Sequence, residues 1–218
     1  MGITKMQAKT ANMAGRFSKN RPLQLICIGY GCLWMGMAVA PYSRFDWLLE
    51  NLLIFAAIAA LAATYRTFPL STVSYGMISL FLALHTMGAH YSYNTTPVDQ
   101  WLHVAFGFGR DNYDRIVHFS YGLLIVVPIR EWLSVHVRLG AKTSVWFAVT
   151  LILATGAFYE LIEMWVAQIV APEIGTLFLG TQGDVWDTQH DMELALYGAL
   201  ITMTVRACIL TARRASSQ

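Results

Sequence analysis

Histidine and carboxylate side chains recur in this sequence inside stretches that are otherwise apolar, and their spacing is regular. Asp114 and His118 are four residues apart and Glu160 and Glu163 three apart, while Asp184, Asp187 and Asp191 step by three and then four. On a helix each set shares one face. His85 and His90 close another apolar run. So many carboxylates in a low-dielectric layer repel one another unless protons or metal cations neutralise them. Mixed histidine and carboxylate sets suit Zn²⁺, Mn²⁺ or non-haem iron, and paired carboxylate helices are how two-metal sites are built in bundles. The expected ligands of a divalent metal ion are therefore His85, His90, Asp114, His118, Asp184, Asp187 and Asp191. Glu160 or Glu163 is the expected general base, its affinity for a proton raised by burial. Arg115, beside Asp114, is the expected holder of an anionic substrate group. There is no H-E-x-x-H motif, so the metal reading rests on clustering.

Several of these positions also have plainer readings. Asp184 follows Gly183 and suits a helix N-cap, and Asp111 suits a loop or cap. His190 is placed to face away from the aspartate stripe. His103 lies in an aromatic-rich interfacial stretch, and His136 belongs to a cytoplasmic loop, where it reads as solvated. Arg130 and Glu131 sit where snorkelling or a mutual ion pair suffices. Glu50 fits either the cluster or the membrane interface. Cys27, Cys32 and Cys208 read as small apolar core residues and not as a disulfide set.

The elements that must position these groups follow from composition. Of the 218 residues 56% are apolar and only 13% charged, about half the ~25% of soluble domains. Too few polar residues remain for a water-facing shell, so the solvent around most of the chain is lipid. The net charge of +2 gives no electrostatic case for nucleic acid. Apolar runs near 23–41, 47–65, 68–90, 114–133, 144–171 and 187–210 approach the ~20 residues that a helix needs to cross ~30 Å of hydrocarbon. Helix is the expectation for each, because a lone strand leaves its backbone groups unpaired in lipid. The fold class is thus all-α, polytopic, with about six spanning helices in one bundle. A basic tail at 1–21 precedes a membrane domain at 22–212, and a short tail follows at 213–218. An apolar run of this length after the basic tail is longer than the 7–15 residues of a secretory signal, which favours an uncleaved first span.

Basic residues set the orientation. With the N-terminus inside, the cytoplasmic segments hold the basic tail, Arg66, Arg130, Arg138, Lys142, Arg213 and Arg214, and the outer loops hold Arg44, Arg110 and Arg115. That bias favours both termini in the cytoplasm. His85 is then ~24 Å along an outward-running helix, and Glu160 and Glu163 reach ~24–28 Å along another. His118 and Asp191 start inward-running helices, ~6 Å below the outer surface. Four helices thereby bring their ionisable groups to one layer near the outer face.

The segments His85 to Tyr91 (HTMGAHY), Tyr113 to Phe119 (YDRIVHF), Pro128 to Glu131 (PIRE), Tyr159 to Glu163 (YELIE) and Gly180 to Gln189 (GTQGDVWDTQ) resemble the YjdF-like bacterial inner-membrane proteins over roughly residues 40 to 210. The last segment is the most specific. The resemblance implies a multi-pass inner-membrane protein and supports the site residues named above, and it brings no activity with it.

The leading functional expectation is a metal-dependent membrane enzyme at the outer face, hydrolysing a lipid or lipid-linked substrate. A di-iron oxidative site is a variant of it. A cation- or proton-coupled transporter using the same acidic cluster is the second reading, since buried carboxylates also mark ion pathways. A structural or accessory role, with the polar layer as interhelical glue, is the third. Membrane lipids are the expected partners, and no nucleic acid is.

Overall fold

The computed structural model describes residues 17–170, 175, 178–179 and 181–216; most of the basic N-terminal tail lies outside them. Among the described residues there are seven α-helices and no strand: α1 (Arg21–Met37), α2 (Arg44–Thr64), α3 (Thr72–His90), α4 (Pro97–Phe106), α5 (Tyr113–Val135), α6 (Ala141–Ile169) and α7 (Asp187–Ala215). Side-chain caps start the first four. Asn20 accepts from the Leu23 amide, Ser43 from Asp46, Ser71 from Ser74 and Thr96 from Asp99, each satisfying a donor that the first helical turn leaves open.

The chain is a polytopic helical membrane protein. Helices α2, α3, α5, α6 and α7 are long and apolar enough to cross a membrane. The sixth expected span, α1, has 17 residues, at the lower end of the ~17–25 that a spanning helix uses and shorter than each of the other five. It stops because Ala40 takes a left-handed φ of 49° and Pro41 follows. Large apolar side chains cover the outer surface, among them Leu52, Phe55, Trp146, Phe147 and Ile201. A surface like that is untenable in water and natural in lipid. Cys27, Cys32 and Cys208 are exposed on it rather than buried, a correction to the expectation of core cysteines.

Helix α5 is central and packs against α3, α6 and α7. The α5–α7 seam is the tightest. A Cβ on Gly122 would collide with the Ala195 carbonyl, and one on Gly198 with the Phe119 carbonyl, so the two backbones touch where glycine allows it. Below this seam Val126, Leu133, Ala148, Ile152, Ala199 and Met203 form a core between α5, α6 and α7. A second core of Ile54, Phe81, Leu82, Tyr113 and Val117 joins α2, α3 and α5. Helix α1 is tied to α2 by Trp34 Nε1 donating to Asn51 Oδ1 at 2.6 Å and to α3 by the Tyr30–Thr86 hydroxyl pair at 3.1 Å.

At the opposite end of the bundle from the acidic layer, Glu131 accepts from the Ser71 amide at 2.6 Å, from the Ser71 hydroxyl at 2.7 Å and from Ser74. It therefore caps α3 instead of pairing with Arg130. His136 is half-buried, its Nε2 3.1 Å from the Pro69 carbonyl, and is not the solvated loop residue that the sequence suggests.

Candidate metal centre

The placement of the centre begins with Asp99. Its Oδ1 accepts from the amides of Asn112 at 2.6 Å and Tyr113 at 3.0 Å, while Oδ2 takes the Thr96 hydroxyl at 2.7 Å. One buried carboxylate thus fixes the start of α4 and of α5. The first turns of α5 then present Asp114 and His118 on one face, with His118 Nε2 3.5 Å from Asp114 Oδ1. Across the glycine seam, the second turn of α7 brings in Asp191. One ligand atom each from Asp114, His118 and Asp191 lies within 4.8 Å of the others. Helix α6 adds Glu160, whose Oε1 is 3.5 Å from the same His118 nitrogen.

His118 and Glu160 are each 7% exposed and Asp191 2%, which leaves water little access to neutralise them. Glu160 Oε1 and Asp191 Oδ1 are buried without a hydrogen-bond partner, an arrangement that costs free energy unless something else satisfies them. The 3.5 Å spacings are long for a charge-assisted hydrogen bond. They match the ~3.3–3.6 Å between ligand atoms of a tetrahedral site with ~2.0–2.2 Å bonds. Glu163 is half-buried one turn beyond Glu160, electrostatically close to Glu160, Asp114, Glu50 and Asp191.

The other expected ligands are placed differently. His85 Nε2 is 3.1 Å from the Glu50 carbonyl, which only accepts, so Nε2 carries the proton. Nδ1 then takes the hydroxyl of Tyr93. With both nitrogens engaged, His85 has no lone pair free for a metal. Burial, and then the carboxylates of Glu50 and Asp114, hold the Tyr93 phenol well above its usual pKa, in keeping with its role as donor. Tyr159 Oη donates to Glu50 Oε2 at 3.1 Å, so a Tyr93–His85–Glu50–Tyr159 chain runs beside the Asp114–His118–Asp191 cluster. Glu50 is a member of the polar layer, 3% exposed. His90 lies apart from it, with Nδ1 2.8 Å from the Met37 carbonyl, tying α3 to the end of α1.

Asp184 and Asp187 belong to an ion-pair layer above the centre. Arg110 reaches Asp184 Oδ2 at 3.2 Å and Asp187 Oδ1 at 2.8 Å, and Arg115 pairs with Asp184 and with Asp187 at 3.3 Å. The aspartate stripe is therefore split, with Asp191 turned into the bundle and the other two held by arginines from the α4–α5 side. Arg115 is engaged by carboxylates rather than free for a substrate anion. Asp184 Oδ1 also accepts from the Trp186 amide at 3.0 Å, and His190 Nδ1 lies 3.0 Å from its Oδ2. These contacts, the Trp186 amide first, hold the Asp184 carboxyl down to about 2. His190 thus faces Asp184, against the expectation that it turns away. His103 pairs with Asp111 at 3.2 Å, on an amphipathic α4 that exposes Trp101, Val104 and Phe106.

Tyr93, Tyr159, Asp99 and Arg110 are the participants that sequence reasoning missed. Only Asp99 had a local signal, the Thr96-x-x-Asp99 capping pattern.

A bundle of apolar, membrane-length helices defines an integral membrane protein, and comparison with known proteins agrees on that class. The family described as "Predicted membrane protein (DUF2238)" matches residues 22–212, and the chain belongs to it. It is 36% identical over 167 residues, 76% of this chain and 79% of the relative, to the inner membrane protein YjdF of Escherichia coli (strain K12). No solved structure matches the chain.

Proposed function

We propose that this protein is a metal-dependent hydrolase of the bacterial inner membrane, with both termini cytoplasmic and its site near the outer face, acting on a lipid or lipid-linked substrate. The observation that carries the reading is the convergence of Asp114, His118 and Asp191, ligand atoms within 4.8 Å, beside the unpartnered Glu160 oxygen. Asp114, His118 and Asp191 would hold a divalent cation, which would supply Lewis acidity to a carbonyl or phosphoryl oxygen and acidify a water. Glu160 is the general base, on the edge of the ligand set, with Glu163 one turn away on the same helix face. Tyr93 faces the same cavity with its hydroxyl donating to His85, and the leaving group takes the proton that Glu160 has removed from the water. Arg110 and Arg115 act on position, anchoring α7 so that Asp191 meets α5. The inner-membrane location follows the YjdF relative, and the orientation follows the basic residues.

The transporter reading needs polar relays across the whole bundle. At the far end Glu131 is committed to capping α3, which favours an enzyme. Protein reconstituted in liposomes of bacterial phospholipid, supplied with Zn²⁺ or Mn²⁺, should release head groups or fatty acids, and Glu160→Gln should abolish this. Cation or proton flux that Glu160→Gln abolishes, with no hydrolysis in the wild type, would favour transport.

A further inference from the structure

A cavity of about 490 Å³ lies between α2, α3, α5 and α6. Most of its polar lining is gathered at one end, where His85, Tyr93, Asp114, His118 and Tyr159 face it, and a Tyr121–Thr155 hydroxyl pair, bonded to each other, lies about one turn further along. From there apolar walls run toward Leu61 on α2 and Ile125 on α5. Leu53 and Leu61 lie eight residues apart, which gives the trough a length of about 12 Å by the helical rise. Helices α2 and α6 have no extensive packing on each other, and Tyr159 with Glu50 joins them at the polar end. The trough therefore opens sideways between two spanning helices. Gly156 on α6 is buried and lines it, yet a Cβ built there meets no atom within 4 Å. A glycine with free space before it keeps the wall open.

We propose that this trough binds one hydrocarbon chain of an outer-leaflet membrane lipid, entering laterally between α2 and α6, with the ester or phosphoester linkage of its head group beside His118. The occupant follows from the medium and from the zoning. The mouth faces hydrocarbon, so water gains no foothold along an apolar wall, and a water-soluble substrate would have no use for a chain-length trough below the polar groups. An amphiphile places its chain and its head where the apolar and polar linings are. The proposal rests on the hydrolase reading for what happens to the linkage, but not for the binding of the chain.

The test is photo-crosslinking of the full chain in liposomes containing a phosphatidylglycerol with a diazirine in one acyl chain, with adducts mapped by mass spectrometry. Adducts should concentrate on the trough-facing residues of α2 and α6, including Ala57 and Ile162. Gly156→Trp should abolish these and leave adducts at the outward-facing Leu52 and Phe55 unchanged. Gly156→Leu, a smaller plug for a wall with free space, should give partial loss and serves if the tryptophan variant does not fold. Adducts confined to outward faces, or unchanged in both variants, would overturn the chain site. Trough labelling in a wild type that binds no metal would keep the chain site and remove the hydrolase reading. Bound metal without trough labelling would do the reverse.

Discussion

His118 Nε2 and Glu160 Oε1 face each other at 3.5 Å across α5 and α6, and that carboxylate oxygen is buried with no hydrogen-bond partner. A neutral imidazole and a carboxylate with only each other for company would close to hydrogen-bond distance. They lie at ligand spacing, with Asp114 at the same distance, and the proposed cation site rests on that geometry.

The glycine seam is what sets the distance between Asp191 and the α5 pair. Gly122→Ala forces a methyl group into the Ala195 carbonyl and should destabilise the protein by about 1–3 kcal/mol, read as a lower unfolding temperature in detergent. Because the seam spreads, metal affinity should fall as well. Unchanged melting and unchanged metal content would mean that the helices are not in backbone contact there.

His85 should behave unlike His118. Both of its nitrogens serve the fold, so His85→Gln should cost about 1–3 kcal/mol and leave metal content near the wild-type level. His118→Gln should abolish metal binding. Equal losses of metal in the two variants would return His85 to the ligand set.

The Asp184 clamp gives a pH signature. Its folded carboxyl is held down to about 2, below the ordinary value of 3.8. The unfolded state therefore binds the proton more readily, and the clamp contributes stability above about pH 4 that is lost as pH falls through about 2. Comparing the unfolding temperature of wild type and Asp184→Asn should show a gap at neutral pH that closes as the solution is acidified toward pH 2. A gap that widens in acid would contradict the assignment.

Orientation is checked with reporter fusions. Fusions at Lys142 and at the C-terminus should read cytoplasmic and fusions at Thr96 periplasmic, because the basic residues gather at the end of the bundle away from the acidic layer. A periplasmic C-terminus would move the centre to the inner face.

The class of fold was legible because apolar runs near twenty residues have few other uses. Asp114, His118, Glu160 and Asp191 were legible because a charge in such a run stands out, and because the helical period puts the first two on one face. Burial was not legible. A helix in lipid is apolar on its outer face too, so Cys27 on the surface and Ile54 in the core look alike in sequence. Pairings across helices were equally hidden. Nothing near Asp184 announces Arg110 and Arg115, some seventy residues earlier, and they hold Asp184 and Asp187 apart from the Asp114–His118–Asp191 cluster. Tyr93 reaches His85 from a loop with a left-handed backbone, φ 56°, beside a glycine at 88 whose Cβ would strike its ring. No periodicity describes that turn.

The central claim is tested most directly by elemental analysis of detergent-purified protein, wild type beside Asp114→Asn and Asp191→Asn. The wild type should carry a divalent transition metal, and each variant should lose most of it while keeping its helical circular dichroism. Wild-type protein without bound metal, and with no shift in unfolding temperature on adding Zn²⁺ or Mn²⁺, would contradict the claim and leave a proton-sharing carboxylate cluster in its place.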